Sequence, residues 1–440
     1  MDQTIAQIIE FVEENDIKFI RLQFCDIFGE LKNISINSSE LEKAFLHGIS
    51  IDASSINGFL GIEDSDLFLV PDPSTLAILP WRPQEGRVAR FFCYIKTPEG
   101  EIFDGDTRSL LKKTLDEFKK MDYVAKVGTE CEFYLFKTDE EGEPTLIPQD
   151  KATYLDVAPL DKGENIRREV CLTVEEMGIK PESSHHESGN GQNEIDFKYD
   201  DALESADNLI TLKTAVKTIA SINGLYATFI PKPLAGKSGS GLHINMSLLK
   251  KGKNIFDSDN NYLDECNSFI AGILYRIKEI TAILNPTVNS YKRFGEFEAP
   301  KYITWSFKNR SQLIRIPASK GEYSRMEIRS PDGTCNPYLA ITLLVKAGME
   351  GIQQNRQLPE AVDKNLYLEP AYDDIELLPQ TLEQALNNME DSAFVKEALG
   401  EFIFDRFISM KRKEWEAYSI QESEYNDVSN YEINKYFYKL

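Results

Sequence analysis

Apolar positions along the chain fall into two periods. Ile5, Ile8, Ile9 and Val12 recur at helical spacing, which predicts an amphipathic helix at the N-terminus. IKFIRLQFC, residues 17–25, alternates instead and runs into DIFGE, which reads as a strand followed by a hairpin-like turn. VARFFCYIK, Val88 to Lys96, is another strand, ended by TPEG. From Asp106 the period changes: DTRSLLKKTLDEFKKM opens on an Asp/Thr cap and carries apolar residues at 110, 111, 115, 118 and 121, a helix. The change divides the chain into a small unit, 1–105, and a large one, 106–440. In the large unit strands alternate with helices predicted at 209–222, stopped by Asn223-Gly224, and at 269–284, stopped before Pro286. A further helix opens at Asn336-Pro337, with Asn as cap and Pro at the first helical position. The tail YNDVSNYEINKYFYKL is rich in aromatics and reads as a docked segment or an interface.

Length and charge narrow the function. A chain of 440 residues is long for one core, in keeping with two domains. The net charge of −23 argues against nucleic acid and against an anionic membrane surface as partners, because both need a basic face. It suits an acidic protein that holds cations. The six cysteines are scattered with no CxxC pair, so neither a disulfide framework nor a thiolate zinc site is indicated. The N-terminal helix is acidic and lacks a signal peptide's basic and apolar regions, and no apolar run approaches the ~20 residues of a membrane span. A cytoplasmic location is expected.

Candidate chemistry lies in carboxylates on alternating segments. In VGTECEFYLF, Glu130 and Glu132 share one strand face, with Cys131 and Phe133 on the other. Two carboxylates side by side in an apolar strand repel, and burial raises their pKa values unless a cation sits between them. A solvated edge-strand pair is the bland alternative. In SSHHESGNGQNEIDF, Glu187 and Glu194 flank a Gly/Asn turn that brings them together if it closes as a hairpin. HHE lacks the i, i+4 histidine pair of a helical zinc site, and His185 and His186 read as supports behind the site. SGSGLHINMSL aims His243, Asn245 and Ser247 at one face, and SRMEIRS does the same for Arg325, Glu327 and Arg329. Five glutamates and one histidine form an oxygen-rich set suited to Mg²⁺ or Mn²⁺. Arg310, Arg315, Lys320, Arg325 and Arg329, concentrated in so acidic a chain, suggest a phosphate clamp. Cations and arginines are the equipment of phosphoryl transfer, yet no P-loop and no GxGxxG is present.

These segments carry a resemblance. DASSINGF, ECEFYLF, SHHESGNGQNEIDF, PKPLAGKSGSGLH, NPTVNSYKRF, NRSQLIRIPASKG and RMEIRSPDGTCNPYLA, in this order, make the chain similar to type I glutamine synthetases over essentially its whole length. The absence of an insertion in the C-terminal half resembles the alpha branch. The resemblance implies an α+β fold: a small N-terminal β-grasp-like domain and a large catalytic domain on an antiparallel sheet with flanking helices. It implies ligation of ammonia to the γ-carboxylate of glutamate through γ-glutamyl phosphate, with ATP as phosphoryl donor. One of two metals would be held by Glu132, Glu187 and Glu194, the other by Glu130, His243 and Glu327. Arg310, Arg315 and Arg325 match groups around the phosphoryl. Arg293, Arg329 and the Gly239 backbone match the glutamate site, and Glu182, Phe197 and Ser247 the nucleotide site. Asp52, Ser55, Tyr154 and Glu187 match the ammonium site, and Glu298 the flap glutamate. The family assembles as a dodecamer of two hexameric rings, with active sites between subunits.

The sequence departs from the family pattern in places. Ser238 stands where an asparagine contacts glutamate, the flap KRFGEFEAP is one residue short and lacks a proline, and Gly61 replaces the arginine of feedback-regulated alpha enzymes. Tyr367 sits in NLYLEP without the insertion that surrounds the adenylylated tyrosine of the other branch, so no adenylylation is expected. Two alternatives stay open: a γ-glutamyl amine ligase using a primary amine, and a non-catalytic regulatory paralogue.

Overall fold

The structure is a computed structural model that describes residues 3–260, 262–368, 374–421 and 428–440. Helix Gln3–Glu14 buries Ile8 and Val12, half of its predicted apolar stripe. Strand Ile17–Cys25 turns at residues 26–30 into Leu31–Asn37, with Asp26 accepting hydrogen bonds from the Phe28 and Glu30 N–H groups. These strands belong to a six-stranded sheet in which Ile17–Cys25 lies parallel to Arg87–Lys96 and the other pairs are antiparallel.

Helix Thr107–Lys119 follows, its first turn capped by the Asp106 carboxylate on the Ser109 N–H. The rest of the chain builds an eleven-stranded sheet around the long strand Tyr123–Thr138. All of its pairings are antiparallel except Trp305–Phe307 with Ile314–Ile316. Helices Ala202–Ile222, Leu263–Leu284 and Pro337–Gln353 bury apolar faces in the same core. The first two begin earlier than periodicity predicts, at Ala202 rather than 209 and at Leu263 rather than 269. In the first, the extra turns carry Ser205 and Asp207, polar residues that a hydrophobic pattern discounts. Both are buried and satisfied: Ser205 donates to the Val127 carbonyl, and Asp207 accepts from Arg108 and Tyr338. Residues 425–427 of the aromatic tail lie outside the described residues. From Ser429 onward the tail docks, with Tyr436 and Phe437 packed on Tyr134, Phe136 and Ile230.

Arg108 ties these parts together. The residue is 5% exposed, and its guanidinium donates to Asp72, beside the N-terminal sheet, at 2.9 Å and to Asp207, on the Ala202–Ile222 helix, at 2.9 and 3.0 Å. Tyr94 and Tyr338 complete the two carboxylates. Removing one partner of a buried, fully bonded ion network leaves unpaired charge behind. Arg108→Met is therefore expected to lower stability by about 3–5 kcal/mol, read as a fall in the denaturant midpoint. An unchanged midpoint would show that Arg108 does not hold the two parts together.

Candidate active site

Strand register decides which side chains meet. His243 pairs with Glu130, and Asp196 pairs with Glu130 from the other side. One step along, Glu194 pairs with Glu132 and His185 with Glu194. Paired residues of neighbouring strands point to the same face, and alternation keeps positions 130 and 132, and 194 and 196, on that face. Met326–Ile328 adds Glu327 opposite Asn245. The hairpin between Pro181–His186 and Gln192–Phe197 closes through a bond from the Glu187 N–H to the Gln192 carbonyl, and so returns Glu187 to the same mouth. Gly239 lies on the Ser238–Gly241 turn, where a Cβ would come within 2.5 Å of Arg293 and of the Pro231 carbonyl, so only glycine permits this approach.

Two cavities open on this face. One, of about 510 Å³, is lined by Glu130, Glu132, Glu187, Glu194 and His243, together with Tyr154, Ser238, Gly239, Arg293, Glu298, Arg310 and Arg329. The second, of about 500 Å³, holds Glu182, Phe197, Ser247 and Arg325. They share Glu130 and Asp196 as a common wall.

The two groups of carboxylates balance their charge differently. Glu130 accepts from Asn245 at 2.9 Å and faces His243 Nδ1 at 3.0 Å. Burial alone would raise its pKa, but His243 and the Asn245 amide outweigh it and hold it at about 2. Glu327, fully buried, is clamped by Arg315 and Arg329, and their charge with that of His243 overcomes the cost of burial and keeps its pKa low. Beside Glu187 and Glu194 stands only the His185 ring among the described residues, and burial lowers its pKa. Burial, then the charge of Glu132, pushes Glu187 up to about 8. Burial, then Asp196, Glu132, Glu130 and Glu187, raises Glu194 well above the usual carboxylate range. Glu132 is fixed by the Gln192 amide at 2.8 Å and the Gly241 N–H at 2.9 Å. A set of hard oxygen donors short of positive charge fits a divalent cation. Glu130, His243 and Glu327 also bring ligand atoms within 4.8 Å of one another, as do Glu132, Glu194 and His243.

Most of the residues named from the sequence line one of these cavities, but some lie elsewhere. Asp52 and Ser55 sit on the N-terminal unit and line neither cavity of their own chain. Asp52 is exposed, and bonds from the Ser54 hydroxyl and N–H, with a further one from Ser55, hold it below the usual carboxylate range. Arg315, expected at the nucleotide, is turned onto Glu327 instead, because a buried carboxylate draws the nearest guanidinium. His185, expected behind the site, lies in it: its ring nitrogens are 3.4 Å from Glu187 and 3.2 Å from Glu194. His186 does stand behind, bonded to buried Asp150 at 2.9 Å. Glu298, on a turn with positive φ at Phe297 and Glu298, reaches Arg329 at 3.5 Å. Sequence reasoning passed over Asp196 and Gln192. The Glu194-x-Asp196 alternation could have flagged the first. Nothing local marks Gln192, whose amide reaches Glu132 across two strands.

A two-part α+β chain whose sheet carries clustered carboxylates and arginines beside a second cavity has the design of a metal-assisted, phosphoryl-transferring ligase. Residues 16–98 match the family described as "Glutamine synthetase, beta-Grasp domain", and residues 104–436 that described as "Glutamine synthetase, catalytic domain". A glutamine synthetase of Clostridium saccharobutylicum is 48% identical over 441 residues, covering 98% of this chain and 99% of that one. One from Methanosarcina mazei is 46% identical, covering 94% and 95%. The solved structure "GmaS/ADP complex-Conformation 1" superimposes with a TM-score of 0.86 at 30% identity, covering 97% of this chain and 98% of its own. The chain belongs to the glutamine synthetase family. It is a glutamate–ammonia ligase that uses ATP and divalent metal to make glutamine.

Protons and cations compete for Glu187 and Glu194. Glu187, pushed up to about 8, binds a proton at pH 7 when no cation is present, and a cation must displace it; Glu194 is shifted in the same direction. Mn²⁺ affinity, followed by electron paramagnetic resonance, should rise from pH 6 to 8 by about tenfold per unit for each proton displaced, then level off. Glu187→Gln should flatten this slope. A pH-independent affinity in the unaltered protein would contradict the crowding.

Proposed function

We propose that the shared wall at Glu130 and Asp196 is where the phosphoryl group crosses from nucleotide to glutamate. The supporting observation is that a nucleotide-sized cavity meets a carboxylate- and arginine-lined one at that wall. ATP would lie against Glu182, Phe197, Ser247 and Arg325, with its γ-phosphate toward Glu130. L-Glutamate would be held by Arg293, Arg329 and the Gly239 backbone, its γ-carboxylate toward the same wall. The γ-carboxylate oxygen attacks the γ-phosphorus, ADP leaves, and γ-glutamyl phosphate forms. Ammonia then attacks the acyl carbon and expels phosphate, giving glutamine. Two divalent cations per site, Mg²⁺ or Mn²⁺, one at Glu132, Glu187 and Glu194 and one at Glu130, His243 and Glu327, would supply charge neutralisation for the phosphates when bound.

The chain's own residues do the rest. Arg310 and Arg325 oppose the charge spread over the moving phosphoryl oxygens. Arg315 acts through Glu327, which it fixes in place. Glu298, on the flap turn beside Arg329, covers the acyl phosphate and keeps out water. Asp52, with Ser55, Tyr154 and Glu187, gathers ammonium and takes its proton before attack. The Ser54 bonds that keep Asp52 ionised suit it to gathering the ammonium cation. Because Asp52 and Ser55 line neither cavity of their own chain, they would serve a neighbouring subunit. Tyr154, Leu155, Val157 and Leu160, apolar and exposed, suit burial by such a neighbour. The proposed assembly is a dodecamer of two stacked hexameric rings, working in the cytoplasm. Among the described residues no helix is long and apolar enough to cross a membrane. Gly61 offers no side chain for feedback control, and the buried Tyr367 hydroxyl is poorly placed for adenylylation.

A phosphate-release assay with ATP, glutamate and cation should show turnover with ammonia and little with methylamine, ethanolamine or putrescine. Turnover with an amine alone would turn the reading toward an amine ligase, an outcome for which the shorter Ser238 leaves room. Absence of turnover with every acceptor, ammonia included, would indicate a non-catalytic paralogue. Asp52→Ala should raise the KM for ammonium by about one to two orders of magnitude, with the KM for ATP little changed. Equal constants in variant and parent would remove Asp52 from the ammonium site.

A further inference from the structure

Away from the active site, a cavity of about 510 Å³ lies between the N-terminal sheet and the helix Ala202–Ile222. In a chain of net charge −23 its wall is basic: Arg21, Lys32, Arg82, Lys213, Lys217 and Lys439 all line it. Among the described residues Glu30 is the one carboxylate side chain there, and it is already paired with Lys32 and Lys439. Cations are in clear excess. Among the described residues Arg21, Arg82, Lys213 and Lys217 form no ion pair. Lys213 donates to the Gly333 carbonyl and Lys217 to the Lys439 carbonyl, neutral acceptors that position an ammonium without balancing it. Lys213 and Lys217 stand one helical turn apart on the same face, and like charges so placed repel. The cost is visible: burial, then the Lys213 charge, brings the Lys217 ammonium down to about 7. Trp81, Leu79 and Ile210 give the cavity an apolar side.

Cations gathered in a cleft with apolar walls focus positive potential and take up oxyanions. We propose that this cavity is a second ligand site, separate from the ligase centre, that binds a small polyanion bearing phosphates or several carboxylates. The ligand would bridge Arg21 and Arg82 on the N-terminal side to Lys213 and Lys217 on the catalytic side, and so brace the two against each other. The inference goes beyond the ligase reaction and does not depend on the roles proposed for its residues.

Trp81 is one of three tryptophans in the chain and provides a local reporter. The full-length protein, free of divalent cation to silence the active site, is titrated at low salt with pyrophosphate and, separately, with citrate, while tryptophan fluorescence and thermal midpoint are followed. The expected result is a saturable change at roughly millimolar or lower concentration that disappears in Trp81→Phe. Affinity should weaken about tenfold or more in Lys213→Gln/Lys217→Gln and in the more exposed pair Arg21→Gln/Arg82→Gln, the second pair serving if the first fails to fold. Response to pyrophosphate alone would mark a phosphate site, and response to citrate alone a polycarboxylate site. No saturable change with either anion, or a change that both charge variants leave intact, would overturn the proposal.

Discussion

Repulsion between carboxylates brought onto one face of a sheet is the constraint around which the rest of this structure is organised. Glu130, Glu132, Glu194 and Asp196 come from two adjacent strands, and the backbone ladder leaves them no freedom to separate. The protein answers in two ways. At Glu130 and Glu327 it supplies partners of its own, the His243 ring, the Asn245 amide and the Arg315 and Arg329 guanidiniums, and both carboxylates are held below their usual range. At Glu187 and Glu194 it supplies only the half-buried His185 ring, and burial and mutual repulsion push both carboxylates above their usual range. An imbalance of this kind lowers stability and is tolerated where a ligand restores neutrality.

The scaffold beneath is arranged to keep that face rigid. Gln192 and the Gly241 N–H fix Glu132, His186 and Asp150 hold the hairpin from behind, and the docked C-terminal segment packs aromatics under the far end of the central strand. Arg108 connects this body to the N-terminal sheet through carboxylates on each side. The basic cavity lies along the same boundary, where the two parts meet with charges less completely paired. One contact between them is saturated, and the other is left open.

Much of this was legible in the chain. Alternation in ECEFYLF and SRMEIRS placed carboxylates on shared faces, and Asn336-Pro337 marked a helix start that the structure caps through bonds from the Tyr338 and Leu339 N–H groups to the Asn336 carboxamide oxygen. Legibility failed where a polar residue is paid for by a distant partner. Ser205 and Asp207 hid the start of a buried helix, and Gln192 looked like an ordinary turn residue. Histidines were the hardest to read, since a ring beside a glutamate in sequence can face the site, as His185 does, or turn from it, as His186 does.

The sequence by itself determined periods, caps, charge balance and the kinds of donor available, because each depends on residues a few positions apart. Resemblance to a family extended this to roles. Only the tertiary structure decided which carboxylates share cations and which share protons, that Arg315 turns to Glu327, that Asp52 lies outside its own chain's cavities, and that six basic residues remote in sequence line one cleft. Those outcomes depend on strand register and on helices packed across long separations. Electrostatic energy follows distance through space, and a linear chain does not record it.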